Sequence, residues 1–198
     1  PRLGPEELAE LDTFKRYLFT EDGVSPYTIP GTPDGMSLVT GNEHDEYGLV
    51  STDPVNRVRM VDKRQQKMKT MLPELPKAGR FGDQDSKIGI IGIGMTFGVI
   101  LEALDTLADR GIDLQYFQPR TLWPMLDESI EFINGCDVVY VVDLNAQGQL
   151  AGLFVHEGAD KSRLRNILHY DGTPIRSDEI VEFVVNDQQQ GLGAEEVA

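Results

Sequence analysis

Three stretches carry residue types that could do chemistry. The run Glu43-His44-Asp45-Glu46 sets an imidazole among three carboxylates, the donor types of a metal centre or an acid–base pair. Four consecutive side chains cannot converge on one point without a special loop, and no further donor stands at ligand spacing. The spacing therefore predicts an exposed acidic turn rather than a metal site. A second stretch, IGIGMTFG at 91–98, ends an apolar run and opens a helical pattern. A dinucleotide-binding turn would cradle its pyrophosphate at such a junction. The spacing here is GxGxxxG, however, and the next strand ends in Gln118-Pro119-Arg120, with Asp113 at its wrong end to hold a ribose. These glycines are read as letting a tight turn hug a sheet.

The third stretch is basic. Residues 57–69 hold Arg57, Arg59, Lys63, Arg64, Lys67 and Lys69 against Asp62, a local net charge of +5 in a chain of -15. Two readings stand. The cations pair with carboxylates elsewhere in the chain, the preferred reading, or they meet a phosphate-bearing cofactor or an acidic subunit. In the second case Arg57, Arg59 and Arg64 are the phosphate candidates. His156 on a helix and His169 near a strand end have no nucleophile beside them and read as structural. Cys136 precedes an apolar strand, where a thiol is usually buried and inert. None of these stretches assembles a complete active site.

The elements that position these residues fall into two styles. In the first, turn formers dominate. A short acidic helix over 5–14 leads into 23–35, where three prolines and several glycines dictate a loop. Asp53-Pro54 opens a helix that runs to about residue 69 and carries the basic cluster. Prolines 73 and 76 and the polar residues up to 86 read as a linker. From there strand and helix alternate: strands at 87–93, 113–118, 137–142 and 163–170, helices at 96–110, 126–134, 149–157 and 177–186. The pattern predicts an α/β fold, an open and mostly parallel sheet with helices on both faces. Residues 188–198 read as a polar tail, and Trp123 as packed at the sheet edge.

Composition removes whole classes of function. With 33 acidic and 18 basic residues the chain repels polyanions, which argues against nucleic acid and anionic membranes. No apolar run approaches the roughly 20 residues that span a bilayer, so a cytoplasmic setting is expected. One cysteine excludes an internal disulfide and any zinc or iron–sulfur site built from cysteines of this chain alone. Aspartate outnumbers glutamate, and only 7 of the basic residues are lysine, a balance that suits high salt. The start at Pro1-Arg2-Leu3, without an initiator methionine, suggests a processed chain or a piece of a longer one.

Several motifs together resemble one family. TEDGVSP at 20–26, IPG at 29–31, TGNEHDEYG at 40–48, PRTLWP at 119–124 and NAQGQL at 145–150 are similar to the alpha subunit of 2-oxoacid:ferredoxin oxidoreductases, nearest to the 2-oxoglutarate branch. The resemblance runs over about 12–186. It implies oxidative decarboxylation of a 2-oxoacid with coenzyme A to an acyl-CoA, on thiamine diphosphate with Mg2+, with electrons passing to ferredoxin. It also implies a beta subunit, in a hetero-oligomer, that holds the diphosphate, the magnesium and a 4Fe-4S cluster.

By the same resemblance, residues 1–80 are the end of a pyrimidine-type thiamine domain plus linker. Residues 81–190 are a transketolase C-terminal-like domain and 191–198 a tail. The substrate-reading motif of the family lies ahead of this region, so the chain is not expected to turn over alone. The contact candidates are Ser25, Tyr27, Pro30, His44, Asp45, Arg120 and Asn145, none securely catalytic. Two departures stand out: Tyr27 replaces a frequent arginine, and Asp143 a frequent glutamate. The alternative is a non-catalytic α/β docking domain of a transketolase-like or 2-oxoacid dehydrogenase complex.

Overall fold

Proline and aspartate start the helices of the N-terminal part. In the computed structural model, which describes residues 1–195, the chain divides into two units, Pro1–Leu75 and a second that begins at Pro76. Helix α1 (Pro5–Ala9) has proline in its first turn, and the Glu7 carboxylate accepts a hydrogen bond from the Gly4 amide at 2.8 Å. It stops well short of residue 14, because Glu10 and Asp12 put negative charge at the end where the helix dipole is negative. Helix α2 (Pro54–Met71) is capped by Asp53, whose carboxylate accepts from the amides of Val55 and Asn56. Between the helices run loops pinned at a few points. A Cβ on Gly23 would fall 2.6 Å from the backbone of both Lys63 and Lys67, so only glycine lets this loop touch α2. Its φ of +73° also favours glycine. The Thr70 hydroxyl donates to the Asp22 carbonyl at 2.6 Å and holds the same loop.

The first unit buries little. Leu8 and Met60 are its only fully buried apolar side chains, whereas Met36, Val39, Leu49, Val50, Val55 and Val58 are mostly exposed.

In the second unit a period of two sorts the strand residues into two cores. The strands are β1 (Gly79–Gly82), β2 (Ile88–Ile91), β3 (Gln115–Gln118), β4 (Val138–Asp143) and β5 (Leu164–Leu168). Their order is β1-β3-β2-β4-β5, parallel except for β1. Ile90, Tyr116, Tyr140 and Val142 face α3 (Thr96–Ala108) and α6 (Ser177–Glu195). Ile91, Phe117, Val139 and Val141 face α4 (Asp127–Gly135) and α5 (Gln149–His156). This is the open, mostly parallel α/β sheet that the alternation predicts. A Cβ on Gly92 would overlap Ile100 and Thr96, so the glycine turn serves close packing of α3 on the sheet.

Two features differ from the sequence reading. Strand β1 lies inside the stretch read as a linker. Its two glycines hide it, but Phe81 packs 5.2 Å from Phe97 on one face while the Arg80 guanidinium covers Phe117 at 4.6 Å on the other. Helix α6 runs on to Glu195 instead of ending near 186, anchored by two bonds. The Tyr140 hydroxyl donates to Asp187 at 2.9 Å, and the Gln188 amide donates to the same hydroxyl at 2.8 Å. Residues 196–198 of the expected tail lie outside the described residues.

Candidate functional site

A cationic recess of about 370 Å³ opens in the first unit. Its floor is one face of α2, where Met60, Lys63, Arg64 and Lys67 follow the i, i+3, i+4, i+7 spacing of neighbouring helix positions. The Gly23 contact brings Ser25 and Tyr27 over that face, and Arg16, Tyr17 and His44 close the sides. The Ser25 hydroxyl donates to the Leu18 carbonyl at 2.9 Å, which fixes the loop. His44 stacks on Tyr17 with ring centroids 3.9 Å apart, and its Nδ1 lies 3.0 Å from the Asp45 carbonyl. A carbonyl can only accept, so Nδ1 carries the hydrogen and Nε2 is left as an acceptor. A wider hollow of about 730 Å³ in the same unit is lined by Glu21 and Asp22 and has no cationic side chain.

The basic helix divides its charges. Arg57 and Arg64 both reach Glu43, each at 2.8 Å, and Arg59 lies over the Phe19 ring at 4.0 Å. These three phosphate candidates are therefore already engaged. Arg16, Lys63 and Lys67 have no carboxylate at ion-pairing distance among the described residues. The i, i+3, i+4, i+7 spacing of α2 carried this signal. Arg16 and Tyr17 left none, because they arrive from a different loop.

The carboxylates of 43–46 build a turn, but a half-buried one rather than the exposed turn expected, because their side chains are drawn onto neighbouring cations and amides. Glu43 holds the two arginines, Asp45 accepts from the amides of Tyr47 and Leu49, and Glu46 accepts from the Phe19 amide. The Arg64 hydrogen bond, helped by the His44 amide and Arg57, holds the Glu43 carboxyl down at about 2. A carboxyl lowered in the folded state stabilises it above its unfolded value, near 4.5, and loses that effect as pH falls toward 2. We expect Arg64→Ala to return the Glu43 midpoint toward 4.5 in an NMR titration of its carboxyl carbon. The cost at neutral pH should be about 1 kcal/mol, because both arginines are largely exposed. A midpoint left near 2 in the variant would remove Arg64 as the cause.

Ser25, Tyr27 and His44 thus line one recess, Asp45 sits in the adjoining turn, and Pro30 is exposed on its loop. Arg120 and Asn145 belong to the second unit. Arg120 is exposed after β3. Asn145 accepts from the amides of Gln147 and Gln149, and Asp143 from that of Leu150 at 2.8 Å, so both shape the start of α5. With Ile93, Leu122 and Leu153 they line a hollow of about 240 Å³ where the chain order reverses between β2 and β4. Ligands of open α/β sheets bind at such a point. Trp123 is 54% exposed and belongs to neither core, contrary to its expected packing.

No family model matches the chain. It is, however, 35% identical over 175 residues to "2-oxoacid:ferredoxin oxidoreductase 2, subunit alpha" of Aeropyrum pernix, a match that takes in 86% of this chain and 27% of that protein. It is 34% identical over 181 residues to the corresponding alpha subunit of Saccharolobus solfataricus, across 89% of this chain and 28% of that protein. The chain belongs to the 2-oxoacid:ferredoxin oxidoreductase alpha-subunit family. Among solved structures, the 2-oxoglutarate:ferredoxin oxidoreductase of Magnetococcus marinus matches 88% of this chain with a TM-score of 0.75 and 34% identity. That structure holds 2-oxoglutarate, coenzyme A and succinyl-CoA, and the match takes in 30% of its chain. The present chain thus spans less than a third of the length of its oxidoreductase relatives.

Cys136, the one thiol of the chain, is fully buried among Phe132, Ile133 and Val139. Burial pushes the thiol up, away from the thiolate that chemistry or metal binding would need.

Proposed function

We propose that the chain works as part of an alpha subunit in the oxidative decarboxylation of 2-oxoglutarate, with coenzyme A, to an acyl-CoA and with electrons delivered to ferredoxin. The observation that carries this reading is the 34% identity, over nearly the whole chain, to an oxidoreductase seen with 2-oxoglutarate and coenzyme A. The first unit serves as the end of a thiamine-binding domain, and the second as a transketolase C-terminal-like domain. Thiamine diphosphate supplies the carbanion chemistry when bound, but this chain does not fit the inorganic groups that go with it. Among the described residues no three His, Cys, Asp or Glu side chains gather to hold a metal ion. A cluster would find only the buried Cys136. By the family resemblance, thiamine diphosphate and magnesium are assigned mostly to the rest of the alpha subunit and to the beta subunit, the 4Fe-4S cluster to the beta subunit, and the enzyme to a cytoplasmic hetero-oligomer.

The test mixes the chain with a cognate beta subunit, the remaining alpha-subunit region, 2-oxoglutarate or pyruvate, coenzyme A and a dye acceptor. Dye reduction should need every component, should prefer 2-oxoglutarate, and should be undetectable with this chain alone. A rate unchanged when the chain is left out would reduce it to a docking domain. A preference for pyruvate would overturn the substrate assignment.

A further inference from the structure

We propose that the hollow beyond the carboxyl ends of β2 and β4 is a binding site for a short aliphatic amine in its ammonium form. The inference stands on the geometry of the second unit alone and does not depend on the family reaction.

Asp143 ends β4 and is 9% exposed, the one charged residue so enclosed among the described residues. Its Oδ2 accepts from the Leu150 amide at 2.8 Å, whereas Oδ1 has no hydrogen-bond partner among those residues. The side-chain polar atoms sealed from solvent without a partner are Thr20 Oγ1 and Gln118 Oε1. Asp143 Oδ1 is not one of them, so it opens onto the hollow that its side chain lines. No lysine, arginine or histidine stands at ion-pairing distance from this carboxylate among the described residues. A charge drawn this far out of water, with one side unanswered, favours an occupant of opposite charge.

The neighbouring end of α5 does not reverse that preference. A helix N-terminus carries roughly half a positive charge and by itself attracts anions. Here its first amides are already taken, that of Gln149 by Asn145 and that of Leu150 by Asp143. The full negative charge of Asp143 outweighs the half charge of the helix. Gln149 bonds Gln147 through its side-chain nitrogen and keeps its carbonyl oxygen as a second acceptor for an ammonium group. The remaining wall, Ile93, Leu122 and Leu153, is apolar and suits a hydrocarbon chain. At about 240 Å³ the hollow is smaller than the roughly 300–1,000 Å³ pockets of drug-sized ligands, which limits that chain to a few carbons.

The experiment titrates n-pentylammonium chloride into the isotope-labelled full chain near neutral pH and at low ionic strength, where screening is weak. Backbone amide shifts are the readout, with amides of the first unit as the internal control. Saturable shifts should centre on Ile93, Asn145, Gln149 and Leu150. Sodium pentanoate, of the same chain length and opposite charge, should produce none there. Asp143→Asn keeps an oxygen for the Leu150 amide but removes the charge, and should weaken binding by about tenfold or more. Leu122→Phe, which fills the hollow from a loop outside α5, should weaken it as well and decides the matter if Asp143→Asn does not fold. Circular dichroism of each variant checks the fold. A parallel titration with Nα-acetyl-lysine N-methylamide separates two sources of the same ammonium chemistry. Binding tighter than that of pentylammonium assigns the hollow to a lysine side chain of another polypeptide, and weaker binding to a free amine. The absence of saturable shifts with both amines would overturn the proposal. So would pentanoate binding as tightly as pentylammonium, or unaltered affinity in the folded variants.

Discussion

Residues 76–195 produced as a separate chain should unfold in urea in a single cooperative step, whereas residues 1–75 produced separately should show no cooperative transition. The reason is where the apolar side chains lie. Both packed cores belong to the second unit, one on each face of the sheet, with Ile90, Tyr116, Tyr140, Phe117, Ile133 and Phe154 among their fully buried members. Each such side chain contributes about 1.5–3 kcal/mol when taken out of water. The first unit has Leu8 and Met60 to set against the ordering of its long loops, at about 1–2 kcal/mol per residue in backbone entropy alone. Its hydrogen bonds and ion pairs, each with a net contribution of about 1 kcal/mol, do not close that gap.

The second unit should show the ordinary domain stability of about 5–15 kcal/mol. Circular dichroism at increasing urea measures both. A sigmoidal transition for 1–75 would show that its loops and helices suffice on their own. Met36, Val39, Leu49, Val50, Val55 and Val58 stay exposed and add little to the stability of the first unit.

What could be read from the sequence follows the same division. The unbroken apolar runs at 88–91 and 138–143 and the stripe of α3 report burial directly, so the sheet and its two helical layers were legible. Strand β1 was not, because its pairing to β3 is decided by a neighbour distant in sequence and its flanking glycines read as a turn. The far end of α6 was hidden for a like reason: Asp187 and Gln188 answer to Tyr140, many residues upstream.

The candidate site was legible only in pieces. Ser25, Tyr27 and His44 came from a resemblance of motifs, and the charge of α2 from composition. Neither says that Gly23 docks on the helix and carries the loop over Lys63 and Lys67, nor that Arg16 closes the side. The two readings of the basic helix proved compatible. Arg57 and Arg64 pair with Glu43, and Lys63 and Lys67 face the recess. Average composition could not reveal the thin core of the first unit, because its apolar residues are present but lack the period that would bury them.

The two buried tyrosines make the second unit sensitive to alkali. Tyr116 and Tyr140 are fully buried in the core between the sheet, α3 and α6, and burial favours the neutral phenol. It pushes Tyr116 up to about 12 against the opposing charge of Arg120. Tyr140 is raised further, again chiefly by burial, with Asp187 adding to the effect and the Gln188 hydrogen bond working against it. A phenol whose value is raised on folding favours the folded state fully below the unfolded value, near 10, and loses that effect as pH climbs through the folded value.

From pH 10 to 12 each phenol therefore withdraws about 1.4 kcal/mol per pH unit, on the order of 5 kcal/mol for the pair. That is a large share of the about 5–15 kcal/mol that stabilises a domain, so residues 76–195 should lose stability steeply in this window. Replacing both residues with phenylalanine removes the ionising group and keeps most of the packing. The variant should be less stable at pH 8 by about 1 kcal/mol per lost hydroxyl bond. Tyr116 loses its bond to the Gly92 carbonyl, and Tyr140 its bonds with Asp187 and Gln188. Above about pH 11 the order should invert, with the variant more stable than the parent. The other ionisable groups are the same in both proteins, so the difference between the two pH profiles isolates the phenols. Parallel pH profiles for parent and variant would mean that solvent reaches these hydroxyls at no cost to the sheet.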